Sequence, residues 1–122
     1  MAKILIVDDD VEFGTAFSKI LKGEGYNTSI ALSTQEGLKL LKKGKYDLVF
    51  ADLSMPGANG MVLLEDIKKD NPELPVVIIT AFGEWDAYAE AAEKGAHSFI
   101  NKPIKKEEIL QVVEDILGQR KR

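Results

Sequence analysis

Short apolar runs and longer periodic ones alternate along the chain. Five runs rich in β-branched or apolar residues predict strands: Lys3–Val7, Thr28–Leu32, Asp47–Ala51, Pro75–Thr80 and Ser98–Ile100. Four segments with apolar residues spaced by three and four separate them, and a fifth closes the chain. In Val11–Lys22 the helical stripe is Phe13, Ala16, Phe17, Ile20 and Leu21; in the last segment it is Ile109, Val112, Val113, Ile116 and Leu117. Ser33 with Glu36 three residues on predicts a capping box for the second helix. Gly25, Gly44, Gly95 and Gly118 follow periodic stretches and are expected to close helices in the left-handed turn. Asn71-Pro72 ends the third helix.

Strand and helix alternate five times, which predicts an α/β fold, because parallel strands need crossover helices between them. Ile4–Val7, Leu48–Ala51 and Val76–Ile79 are apolar at every position, as strands buried on both faces must be. Asn27-Thr28-Ser29-Ile30 is more polar, and Ser98-Phe99-Ile100 is short, so these read as edges. Right-handed crossovers then give a doubly wound, flavodoxin-like (βα)5 sheet of five parallel strands in the order 2-1-3-4-5. There is no internal repeat or low-complexity stretch. Residues 1–118 are expected to form one domain, with 119–122 a short basic tail or the start of a linker. On this expectation the chain is either a stand-alone unit or a piece of a longer one.

Composition narrows the chemistry. A length of 122 residues suits one domain with its own core. The 16 basic and 20 acidic side chains leave a net charge of −4, which argues against a nucleic-acid-binding surface. With no cysteine, disulfide scaffolds, thiolate nucleophiles and cysteine zinc sites are excluded. His97 is the single histidine, which argues against a histidine-rich metal site or a Ser-His-Asp triad. No apolar run approaches the roughly 20 residues of a membrane span. Residues 1–7 are too short for a signal peptide, and three acids follow at once. A soluble, cytoplasmic protein without membrane insertion is expected.

The acids fall at strand ends. Asp8, Asp9 and Asp10 follow the first strand and Asp52 the third; Thr80 closes the fourth, and Lys102 lies just past the fifth. In a parallel sheet these ends share one edge, and strands 1 and 3 meet at the switch point where such folds bind ligands. Asp8, Asp9 and Asp52 should therefore converge, with Thr80 and Lys102 beside them. One of Asp9 and Asp10 is expected to cap the following helix instead. Three close carboxylates repel one another, and a hard divalent cation relieves this, magnesium in particular when phosphate oxygens share its shell. The lysine offers phosphate a positive charge and the threonine a hydroxyl. The set describes a phosphoryl site with Asp52 as candidate nucleophile. A backbone carbonyl of Leu53–Gly60 could complete the metal shell, and a cis Lys102-Pro103 bond would aim Lys102 inward.

These residues carry a family likeness. Ile6-Val7-Asp8-Asp9-Asp10, Asp52-Leu53-Ser54-Met55-Pro56-Gly57, Ile79-Thr80-Ala81, Gly95-Ala96 and Phe99-Ile100-Asn101-Lys102-Pro103 stand in the order and spacing of a receiver domain. Across essentially its whole length the sequence resembles the response-regulator receivers of two-component signalling. The resemblance implies a switch and not a turnover enzyme. A sensor histidine kinase or phosphotransfer protein would pass a phosphoryl group to Asp52 with the help of Mg2+. Asp9 would bind the metal directly, Asp8 mainly through water, and Asp52 and the Ser54 carbonyl would complete the ligands. Lys102 would pair with the phosphoryl group and Thr80 would hydrogen-bond it. Inward movement of Thr80 would let Phe99 rotate from exposed to buried, changing the surface of helix 4, strand 5 and helix 5 that meets an output domain or target. The resemblance also implies a monomer at rest, with a dimer on phosphorylation left open.

Helix 4 has a mostly small stripe of Trp85, Tyr88, Ala89 and Ala92, which fits equally a loosely held helix and one packed closely on the sheet. Phe82, two past Thr80, cannot orient an attacking water, so slow self-dephosphorylation is expected; the alternative is a ring that packs against a partner or helix 4. Three other readings compete. An aspartyl-phosphate phosphatase would want an acid where Ser54 stands. A flavin-binding module would want a Thr/Ser/Gly-rich phosphate loop where Asp8–Asp10 would repel one. A degenerate receiver acting by protein binding alone would have no need of the intact acids, Thr80 and Lys102.

Overall fold

The computed structural model describes residues 2–53, 60–81 and 85–120. Strands and helices alternate: β1 (Lys3–Val7), α1 (Val11–Gly23), β2 (Asn27–Ala31), α2 (Thr34–Lys43), β3 (Leu48–Asp52), α3 (Gly60–Asp70), β4 (Val76–Ala81), α4 (Trp85–Glu93), β5 (Ser98–Lys102) and α5 (Lys106–Arg120). All strand pairs are parallel and the order is β2-β1-β3-β4-β5, as the alternation predicts. The three apolar strands are the inner ones. Their residues Ile4–Val7, Leu48–Ala51 and Val76–Ile79 are all fully buried.

The period of two along each strand divides the core into two layers. Leu5, Val7, Val49, Ala51, Val76 and Ile78 face a layer closed by α2, α3 and α4, with Leu63, Leu64, Ile67 and Ala91 at its centre. Ile4, Ile6, Leu48, Phe50, Val77, Ile79 and Ile100 face the opposite layer, closed by Phe17 and Leu21 of α1 and by Ile109, Val113, Ile116 and Leu117 of α5. Phe17 is the hinge of an aromatic chain, its ring centroid 5.7 Å from Phe13 and 4.7 Å from Phe50.

The structure corrects several details. β3 runs one residue further than the pattern suggested, so Asp52 is its last residue; β5 runs two further and includes Lys102. Polar side chains end an apolar run, but the backbone ladder continues beneath them. Gly25 and Gly95 take positive φ, 92° and 99°. Gly44 instead is extended, at φ −150°, and Gly118 lies inside α5. That helix continues through the first two residues of the expected tail. Among the described side chains of α4, which do not include Trp85, Ala91 is buried and Ala87 and Tyr88 are half-buried, while Ala89 and Ala92 are exposed. The expected stripe is thus rotated, because a run so rich in alanine leaves its inward face undetermined. No described helix is long and apolar enough to cross a membrane.

Candidate functional site

Asp8 follows β1 while its backbone N–H still extends the ladder, donating to the Ala31 carbonyl at 3.0 Å. This places its carboxylate at the switch point, fully buried. Asp10 is the α1 cap: its side chain accepts from the Phe13 N–H at 3.1 Å. That settles which acid belongs to the helix and leaves Asp9 for the site, at an exposed position. Asp52 ends β3 beside Ile79 of β4 and is only 5% exposed. Oxygens of Asp8, Asp9 and Asp52 all lie within 4.8 Å of one another. α3 starts tightly against this point. A Cβ on Gly60 would run into the carbonyl of Asp52, so only glycine fits the close approach.

Lys102 arrives from β5 and lies between the acids. Its Nζ is 3.1 Å from Asp8 Oδ2 and 3.2 Å from Asp52 Oδ2, to which it donates a hydrogen bond. The following Lys102-Pro103 bond is cis. Asp8 Oδ1 accepts from the Asp10 N–H at 2.9 Å. Oδ2 is buried without a well-aligned hydrogen bond, and its contact with Lys102 is ionic. Burial pushes the Asp8 carboxyl above its ordinary 3.8; the charge of Asp52 pushes the same way, and the Asp10 N–H and Lys102 only partly offset them. Burial pulls Lys102 down, but Asp8 and Asp52 outweigh it and leave the ammonium above its ordinary 10.5. A cluster of oxygen donors with an excess of negative charge can hold a hard cation.

Thr80 is buried at the end of β4, opposite Asn101 of β5. Phe99 is half-buried, packed on the α4 side with its ring 5.3 Å from that of Tyr88. Of the expected site residues, Asp8, Asp9, Asp52 and Lys102 are thus brought together, and Thr80 and Phe99 sit on the neighbouring strand ends. Ser54 and Phe82 lie outside the described residues. Sequence reasoning missed three neighbours. Phe13 holds its ring 4.3 Å below the Lys102 ammonium. Asn101 donates from its side-chain amide to the Tyr88 hydroxyl, joining β5 to α4. Phe13 and Tyr88 stood out only as members of helical stripes, and Asn101 only inside a motif.

Sheet order, switch-point acids and strand-end lysine together define a doubly wound α/β domain with an acidic cluster that could hold a metal ion. Comparison with known proteins makes this specific. The model of the response regulator receiver domain matches residues 4–114. The chain is 39% identical over 118 residues to the transcriptional regulatory protein GlrR of Escherichia coli K12, covering 97% of this chain and 27% of that protein. It is 35% identical over 115 residues to ZraR of Salmonella typhimurium, covering 94% and 26%. The receiver domain of NtrX from Brucella abortus superposes with a TM-score of 0.90 at 37% identity, covering 94% of this chain and 98% of that one. A receiver domain protein from Clostridium thermocellum gives 0.92 at 29% identity, covering 99% and 98%. The chain belongs to the response regulator receiver domain family of two-component systems. It spans about a quarter of the length of the curated relatives it matches.

Proposed function

We propose that this chain is a phosphoacceptor switch. Asp52 takes a phosphoryl group from the phosphohistidine of a sensor kinase or phosphotransfer protein, and the surface of α4, β5 and α5 relays the change to an output domain or target. The observation that carries this reading is the placement of Asp52. It is a nearly buried carboxylate at a strand end, 3.2 Å from a lysine and clustered with two further acids.

An oxygen of Asp52 attacks phosphorus; the P–N bond to the donor histidine breaks, and its electron pair stays on the imidazole. Lys102 offers its charge to the phosphoryl oxygens and Thr80 its hydroxyl. Asp8, Asp9 and Asp52 would hold the divalent cation, with the Ser54 carbonyl as the expected backbone ligand. Magnesium there would neutralise the acids and bind a phosphoryl oxygen. The chain modifies only itself, so it is a switch and not a turnover enzyme. Relatives named as transcriptional regulatory proteins favour a cytoplasmic setting and control of transcription as the output of the full-length protein, with direct DNA contact made elsewhere than in this acidic domain. The resting state is a monomer.

Intact mass after incubation with acetyl phosphate and magnesium tests the reading. A gain of about 80 Da, dependent on magnesium and lost in Asp52→Asn, is the expected result. Absence of the adduct, with rapid release of phosphate excluded by a time course, would leave a receiver that works by protein binding alone.

A further inference from the structure

We propose that Phe13 is a positioning residue for phosphoryl transfer: its ring face holds the Lys102 ammonium in line with Asp52. The inference rests on the phosphoacceptor reading above. Among the described residues, the Lys102 Nζ has three close neighbours, Asp8 at 3.1 Å, Asp52 at 3.2 Å and the Phe13 ring centroid at 4.3 Å. The ring presents the negative face of its quadrupole to the cation, and this contact strengthens where water is excluded. The surroundings are apolar but partly open, with the lysine side chain 31% exposed. Phe13 and Lys102 line one cleft of about 470 Å³ with Ala16, Ile20, Pro103 and Ile104, all of them apolar.

Phe13 is itself held in place. Its N–H donates to the Asp10 cap, and its ring packs edge-on against buried Phe17, which packs on Phe50 of β3. The ring is thus tied both to the end of β1 and to the strand that ends in Asp52.

The three neighbours behave differently during transfer. Asp52 gives up its own negative charge when its oxygen becomes an acyl phosphate. Asp8 faces the cation-binding cluster. Of these three, the ring alone keeps its charge distribution throughout. It is a fixed surface along which the ammonium can pass from the Asp52 carboxylate to the incoming phosphoryl oxygens. A long, flexible lysine would otherwise have to be ordered anew at each transfer.

The test replaces Phe13 by phenylalanines of increasing fluorination, which keep the shape of the ring and progressively cancel its quadrupole. Phe13→Leu and Phe13→Trp accompany them. The readout is the rate of the Asp52 mass adduct from acetyl phosphate with magnesium. The rate should fall monotonically with fluorination and fall about 2- to 30-fold in Phe13→Leu, the range spanned by exposed to desolvated cation–π contacts. Phe13→Trp should restore it. Melting temperatures of the fluorinated proteins should stay together, which a purely structural role would not combine with a falling rate.

Upfield ring-current shifts of the Lys102 ε-protons, lost in Phe13→Leu, report the contact without any phosphoryl chemistry. A labelling rate indifferent to fluorination overturns the inference and leaves the phosphoacceptor reading intact. Absence of the ring-current shift overturns the contact itself. A wild-type protein that shows the shift but never labels overturns both the phosphoacceptor reading and the role given to Phe13.

Discussion

Replacing Lys102 by methionine should expose the electrostatic tension in the site. Methionine keeps an unbranched stem that can lie against Phe13, so mainly charge is lost. At an effective dielectric of about 20, the lysine gains roughly 5 kcal/mol of Coulomb attraction from each acid at its distances of 3.1 and 3.2 Å. Much of that is consumed in taking the ammonium out of water. What the variant uncovers is the repulsion of Asp8 and Asp52, about 3–4 kcal/mol at the same dielectric for oxygens within 4.8 Å. We expect a loss of about 2–4 kcal/mol at neutral pH without metal, toward the lower end of what breaking a buried ion pair costs because the lysine is 31% exposed. For a chain of this size each kcal/mol moves the melting temperature by about 3–6 °C. Two treatments should close the gap. Magnesium should stabilise the variant more than the wild type, because the cation no longer competes with an ammonium. Acid should do so as well. The Asp8 carboxyl already sits above 3.8, mainly through burial and then through Asp52, and losing Lys102 raises it further. The folded protein then binds that proton more readily than the unfolded chain. Stability therefore rises as the pH falls from neutral through the folded value, and levels off below 3.8. Thermal melts at neutral and acidic pH, with magnesium and with chelator, measure all three effects. A variant as stable as wild type in chelator at neutral pH, or one that magnesium fails to rescue, would refute the reasoning.

Asp8→Asn should raise the melting temperature of the metal-free protein, since it removes a buried charge and keeps the acceptor for the Asp10 N–H, while abolishing the stabilisation by magnesium; a lower melting temperature would contradict the repulsion inferred here. Gly60→Ala adds a Cβ where the Asp52 carbonyl already stands, so it should cost about 1–3 kcal/mol in denaturant melts and slow the Asp52 adduct. Helix propensity alone predicts the opposite sign. Tyr88→Phe removes the hydroxyl that accepts from Asn101 but keeps the ring against Phe99; hydrogen exchange in α4 should quicken about 2- to 12-fold, the worth of one hydrogen bond, with α1 and α5 unchanged.

The fold was legible because inner strands apolar on both faces alternate with amphipathic helices, the pattern of a covered parallel sheet. The acids were legible because strand ends in such a sheet share one edge. What the pattern hid was which face of that edge each side chain takes. Strand alternation continues past the apolar runs. Asp8, Asp52 and Lys102 keep the parity of Ile6, Phe50 and Ile100, the face covered by α1 and α5, and Phe13 of α1 is there to meet the lysine. Thr80, Phe99 and Asn101 keep the parity of Val76 and Ile78, the face covered by α4, and Tyr88 meets two of them. The acids with Lys102, and the Phe99, Asn101 and Tyr88 contacts, thus lie on opposite faces of one sheet, joined where Thr80 pairs with Asn101 next to Lys102. The spacing of two between Phe99 and Asn101, and between Ile100 and Lys102, already contained this division. It could not be read until β5 was known to run to Lys102, because a strand ending at Ile100 leaves the last two residues without a face.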